Sequence, residues 1–195
     1  LATKLALRTI FRQDDNSEIK GYDLTYLSES KDGTISLWLG QAKMGGYQYC
    51  LSGIHDDLLS KYTTSYFAKQ IYFLCDKPYA TSKESKQLLG IVNELNRSMI
   101  DSPADKREGA LVKLFERENI LIKVPCLLAF ENKLLYSDPG NLYFNLCKEI
   151  EKIRLFYSKK NYSSLVLKPH IMFMVFPLNS IDEIRGKRGF YDGLR

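Results

Sequence analysis

The sequence is short of several features that would settle its class at a glance. Its four cysteines, Cys50, Cys75, Cys126 and Cys147, are widely spaced with no CxxC pair. No disulfide framework or thiolate zinc motif is written there, and reduced, buried thiols in a cytoplasmic protein are the expectation. Only two histidines, His55 and His170, are present, in no zinc-ligand spacing. Apolar runs such as residues 171–178 fall far below the roughly 20 residues of a membrane helix, so no bilayer-spanning segment is expected. There is no long Gly, Pro, Ser or Gln tract and no internal repeat, which removes flexible linkers and solenoids from consideration. The chain opens on Leu1 with no basic-then-apolar start, so no secretory leader is expected and the chain is read as missing an N-terminal piece.

What is present is ordinary for a globular chain. At 195 residues the expectation is a single domain, 1–195, with one core. The net charge of +5 and a pI near 8.9 suit a polyanionic partner without requiring one.

Alternation and periodicity outline a mixed α/β fold. Residues 4–11 read as a strand, with a helix end as the alternative, and residues 12–20 as a polar loop. Tyr22, Leu24 and Tyr26 alternate with polar residues up to a turn at Asp32-Gly33, and the second arm runs over 34–42 until Gly45-Gly46 breaks it. Helical spacing marks 50–62, 82–97, 105–118 and 141–157, while 64–76 is apolar and ambiguous. Residues 120–130 and 170–176 read as buried strands, the second closed by Pro177. A last helix starts at Ser180 with the capping box Ser180-Ile181-Asp182-Glu183.

The hairpin sets the candidate chemistry. Its arms run side by side, so Asp23 near the start of one comes close to Gln41 and Lys43 at the end of the other. Gln41 and Lys43 share a face by the two-residue strand period, with Trp38 and Ala42 on the opposite one. An acid, a second oxygen ligand and a lysine are the parts of metal-assisted phosphodiester cleavage. The oxygens hold Mg²⁺, and the lysine positions water or stabilises developing charge. Gln41 offers only a neutral oxygen, so Asp23 and a further acid must supply the negative charge, and the Ala42 carbonyl can add a ligand.

Asp23, Gln41 and Lys43 resemble the motif of the PD-(D/E)xK, restriction-endonuclease-like nucleases in its Gln-x-Lys form. A narrower resemblance covers most of the chain. "KGYDLTYL", "LWLGQAKM", "GIHDDLLSKY" and "HIMFMVFPLNSIDEIRGK" look like the C-terminal domain of the HamA family, nuclease subunits of the Hachiman anti-phage defence system. The resemblance implies a restriction-endonuclease-like α/β core with a mixed sheet: an N-terminal strand and hairpin, then helices and two later apolar strands. It implies Mg²⁺ or Mn²⁺ as cofactor with no small-molecule cofactor, DNA as substrate, and a helicase subunit as partner. It also implies Glu where this chain has Gln41, and a helix before the first strand carrying another acid. Nothing of that kind precedes Thr3, so the domain is expected to lack its N-terminal helix.

Plainer readings stand beside these. Lys43 at a strand end also reads as a solvated edge lysine and Asp23 as a turn-capping acid. His55, Asp56 and Asp57 read as a polar helix face, because adjacent helical residues diverge, and stay outside the site. Tyr47 and Tyr49 read as packing residues before base-stacking ones, and the basic residues of 154–160 and 185–188 as solvated faces before phosphate contacts. The competing function is a catalytically inactive nuclease-fold module for nucleic-acid binding or complex assembly. A subunit serving only a protein partner is the third.

Overall fold

Asp32 and Gly33 reverse the chain as the alternating residues on either side require. Gly33 has a φ of +81°, a left-handed conformation that glycine adopts without strain. Its N–H donates to the Ser30 carbonyl at 3.0 Å, and the Asp32 carboxylate accepts from the Thr34 N–H at 3.0 Å and from the Ser30 hydroxyl. These bonds, the Ser30 hydroxyl foremost, hold the Asp32 carboxyl below its usual range.

This structure is a computed structural model, and it describes residues 2–4, 21–30, 32–63, 66–67, 90, 93–94, 97, 103, 106–163, 165 and 168–186. Its strands are β1 (Ala2–Lys4), β2 (Leu24–Glu29), β3 (Ile35–Gly45), β4 (Ile120–Glu131) and β5 (His170–Leu178), in the sheet order β1-β2-β3-β4-β5. The helices are α1 (Tyr47–Lys61), α2 (Arg107–Arg117), α3 (Lys133–Tyr136), α4 (Leu142–Ser158) and α5 (Ile181–Gly186). β1 pairs antiparallel with β2, and β2 antiparallel with β3, with Leu24 opposite Gly40 and Glu29 opposite Ile35.

The sheet is mixed. β3 and β4 begin together, the Ile35 N–H donating to the Asn119 carbonyl at 3.1 Å, and they stay together at Gly40, whose added Cβ would lie 3.1 Å from Pro125 Cγ. They therefore run the same way. The same Cβ would lie 2.8 Å from Leu24 Cβ, so position 40 admits only glycine without a shift. β4 and β5 finish together, with the Asn132 N–H on the Leu178 carbonyl at 2.8 Å.

By proximity the chain forms two compact units. The first comprises Leu1–Gln41, Asp57–Cys126 and Tyr162–Met172. Leu37, Leu39, Leu58, Leu111 and Val124 are fully buried within it. The second comprises Ala42–Asp56, Leu127–Asn161 and Phe173–Arg195. There Cys50, Ile54, Leu128 and Phe130 are fully buried, Tyr47 meets Phe130 edge-on at 4.9 Å, and the Tyr157 hydroxyl donates to the Leu51 carbonyl at 3.0 Å.

Most expected elements appear within a few residues of their outlines, and three differ for physical reasons. β3 continues past Ala42 to Gly45, and α1 starts at Tyr47. β5 passes through Pro177 to Leu178. A proline lacks only a donor, which an edge strand can spare, and β5 is last in the sheet order. For the same reason β5 is not the buried strand its apolar sequence suggests: Met172, Phe173, Met174 and Phe176 are exposed. At α5 the Glu183 N–H donates to the Ser180 hydroxyl at 3.3 Å, as the capping box requires, while the Ile181 N–H turns to the Glu131 carboxylate. Of the strand expected at 4–11 only Lys4 is described. The loop 12–20 and most of 64–76 and 82–97 lie outside the described residues.

Candidate functional site

The β2–β3 hairpin brings the Asp23 backbone beside Gly40, the residue before Gln41. The paired residues of the ladder end at Leu24 opposite Gly40, and the Asp23 N–H, just outside them, also donates to the Gly40 carbonyl at 2.9 Å. Ile35, Leu37, Leu39 and Gln41 alternate along the inward face of β3, and all are buried. The apolar body of the strand thus ends in a buried amide.

Gln41, only 2% exposed, is partnered on one side. Its Oε1 accepts from the Lys61 Nζ at 2.9 Å, whereas its Nε2 is buried without a well-formed hydrogen bond among the described residues, the Tyr62 hydroxyl being its polar neighbour. The Lys61 ammonium also meets the Asp57 Oδ1 at 3.0 Å, with the two side chains 19% and 13% exposed. Asp57 and Lys61 lie four apart on α1, the spacing that stacks side chains on one face.

Three tyrosines surround this cluster. The Tyr62 hydroxyl donates to the Leu39 carbonyl at 2.6 Å and the Tyr22 hydroxyl to the Lys61 carbonyl at 2.8 Å. The Tyr22 ring centroid lies 5.3 Å from that of Tyr62 and 6.1 Å from that of Tyr66. Burial pushes all three phenols up. At Tyr66 the charges of Asp57 and Asp23 add to burial, so both carboxylates lie within electrostatic reach of its hydroxyl. Burial, with a contribution from Asp57, pushes the Cys126 thiol up to about 12.

Lys43 belongs to the second unit and is half-buried. Its carbonyl accepts from the Cys50 thiol at 3.5 Å, and its stem lies over α1 at Gly53, where an added Cβ would stand 3.1 Å from Lys43 Cε and 3.3 Å from Cδ. Burial raises the Cys50 thiol, while the Gly45 backbone and then the Lys43 charge pull it back. Ala42 is exposed. In this unit a recess of about 510 Å³ is lined by Tyr47, Gln48, Leu51, Lys152, Phe156 and Lys160 among others. Part of its charge is engaged: Lys152 pairs with Glu149 at 3.1 Å, and Lys160 stands over the Phe156 ring. Arg154 is paired with Glu151 at 2.7 Å.

The HamA family model matches residues 3–194 of the chain. The chain belongs to the HamA family. No curated protein and no solved structure matches it. Membership of the HamA family points to a part in Hachiman anti-phage defence and agrees with the mixed α/β core of the described residues. No helix among the described residues is long and apolar enough to cross a membrane.

Sequence reasoning missed Asp57 and Lys61. Asp56 is exposed as a polar helix face requires, but Asp57 is turned inward. The available signal was position: Asp57 and Lys61 flank Leu58 and Tyr62, which are buried.

Proposed function

We propose that this HamA chain is a metal-dependent DNA nuclease acting in anti-phage defence with a helicase partner. The observation that supports the reading is the Asp23 N–H bonded to the Gly40 carbonyl, next to Gln41 in β3, with Lys43 two residues further along the strand. That is the order of parts in an acid, Gln-x-Lys nuclease site.

The donor set suits a hard divalent cation. Asp23, Asp57 and the Gln41 amide are oxygen donors, the class that Mg²⁺ and Mn²⁺ take, and Gln41 Oε1 with Asp57 Oδ1 already converges on one positive charge. Asp23 and Gln41 would hold the metal with the Ala42 carbonyl, and Asp57 is the inward-turned carboxylate that fits the further acid. When bound, the metal polarises the phosphodiester and lowers the pKa of a coordinated water. Lys43 donates to the attacking water or to the developing negative charge, its stem steadied against Gly53. The lysine-lined recess of the second unit offers phosphate contacts that do not depend on sequence.

A specific observation favours the second reading, a catalytically inactive module for nucleic-acid binding or assembly. The only oxygen of Gln41 is engaged by Lys61, and no group of three or more His, Cys, Asp or Glu residues able to hold a metal occurs among the described residues. Incubating linear duplex and single-stranded DNA with the full-length protein and its helicase partner, in Mg²⁺, Mn²⁺ or EDTA, separates the two. Products that need the divalent ion support the nuclease; DNA binding without product in every condition supports the module.

A further inference from the structure

We propose that the Gln41 and Asp57 side-chain oxygens form a seat for a hard divalent cation, and that Lys61 is a tethered cation holding this seat until the metal displaces it. The proposal rests on the metal-dependent reading above and adds to it a residue that sets metal affinity.

The geometry comes first. One ammonium makes both contacts, 2.9 Å to Gln41 Oε1 and 3.0 Å to Asp57 Oδ1. Two oxygens from different elements, β3 and α1, therefore point at a single position that carries positive charge. Stability alone does not account for the arrangement. Gln41 follows Ile35, Leu37 and Leu39 on a buried face, where a further apolar residue would pack without leaving a donor unmet. Instead the chain keeps an amide that holds Lys61 by its oxygen and whose Nε2 makes no well-formed bond among the described residues, with the Tyr62 hydroxyl as its polar neighbour. A buried polar atom left unmet in a polar pocket is what a site looks like when its ligand, or a water of that ligand, supplies the missing acceptor.

Charge explains why the lysine would yield. Gln41 is neutral, so Lys61 matches the single charge of Asp57 one for one. A divalent ion draws in addition on Asp23, whose N–H is bonded to the Gly40 carbonyl next to Gln41 and whose charge reaches Tyr66 as that of Asp57 does. The displaced ammonium has a favourable place to go. Lys61 is the last residue of α1, where the helix dipole favours a cation, and its four-carbon stem swings freely.

The test is a calorimetric titration of Mn²⁺ into the full-length protein, comparing wild type, Lys61→Met and Asp57→Asn, with thermal melts to establish folding. Removing a like charge a few ångströms from the metal is expected to tighten binding about tenfold or more, and Asp57→Asn to weaken it by a similar factor. Lys61→Gln serves if the methionine variant does not fold. Unchanged or weaker Mn²⁺ binding by the folded Lys61 variant overturns the tether while leaving a metal-dependent nuclease standing. Absence of Mn²⁺ binding in all three proteins overturns the tether and the metal reading together. Tighter binding without any DNA cleavage keeps the seat and overturns only the nuclease.

Discussion

Lys61 donates to the side-chain oxygen of Gln41 at 2.9 Å, joining the last residue of α1 to the polar end of β3. The contact ties the segment after the hairpin back to the strand that carries the Gln-x-Lys sequence, and it fixes which end of the Gln41 amide is the acceptor. Every residue bearing on Gln41 therefore bears on the candidate chemistry.

Lys43, the other polar end of that sequence, packs on Gly53 within the second unit. Alanine there would bring a methyl group to 3.1 Å from Lys43 Cε, tighter than ordinary contact, so the lysine stem must move by a few tenths of an ångström. Alanine also favours a helix over glycine by up to about 1 kcal/mol. Gly53→Ala is expected to leave the melting temperature unchanged or raised while cleavage falls about tenfold, since small misplacements of a reacting group are costly. Equal activity with a raised melting temperature would show that Lys43 does not depend on this contact.

Tyr62→Phe removes a buried hydroxyl that donates to the Leu39 carbonyl at 2.6 Å. The loss is expected to lower unfolding free energy by about 0.5–1.5 kcal/mol. Urea denaturation measures it, and a change within error would show that the bond contributes nothing net.

Thiol reactivity reports on burial. Cys50 and Cys126 are buried with raised thiol pKa values, that of Cys126 up to about 12, whereas Cys147 is exposed. Only the thiolate is nucleophilic. Iodoacetamide at pH 8 should therefore modify Cys147 in the native protein and spare Cys50 and Cys126 until denaturant is added, as peptide mass mapping reads directly. Early labelling of Cys126 would contradict its burial within β4.

The hairpin was legible because a turn sets a register. Asp32-Gly33 between two alternating segments fixes which residues oppose, and the chain returns with the Asp23 N–H on the Gly40 carbonyl, next to Gln41. Asp57 and Lys61 were not legible, because an acid and a lysine four apart on a helix look the same whether they face water or a buried amide. Only tertiary packing distinguishes the two. Likewise the apolar run 170–176 resembles a covered strand, and its edge position, which exposes Phe173 and Met174, depends on strand order rather than composition. The short α3, with the Asn132 side chain accepting from the Leu135 N–H at 3.2 Å, is too brief for periodicity to mark.

The tyrosine cluster gives a pH dependence. Tyr22, Tyr62 and Tyr66 have folded-state pKa values above the ordinary phenol value, with burial the largest cause. Raised folded values mean that the folded state keeps protons the unfolded chain releases. The stability this represents is fully present below about pH 10 and is lost as the pH climbs through the raised values. Thermal melts between pH 8.5 and 11, in steps of about 0.5, should show a falling melting temperature above pH 10, with a further step of phenolate absorbance as unfolding exposes the cluster. Phenolate absorbance from every tyrosine near pH 10 in a folded protein would contradict the burial of this cluster.

The central claim is that β3 ends in Gln-Ala-Lys to deliver Lys43 to a phosphodiester held at Asp23 and Gln41. It is tested most directly by Mg²⁺-dependent degradation of plasmid DNA, comparing full-length wild type with Lys43→Ala in the presence of the helicase partner. A loss of about 100-fold or more with an unchanged melting temperature and unchanged DNA binding is the expected result. Equal cutting by the folded Lys43→Ala protein would contradict the claim.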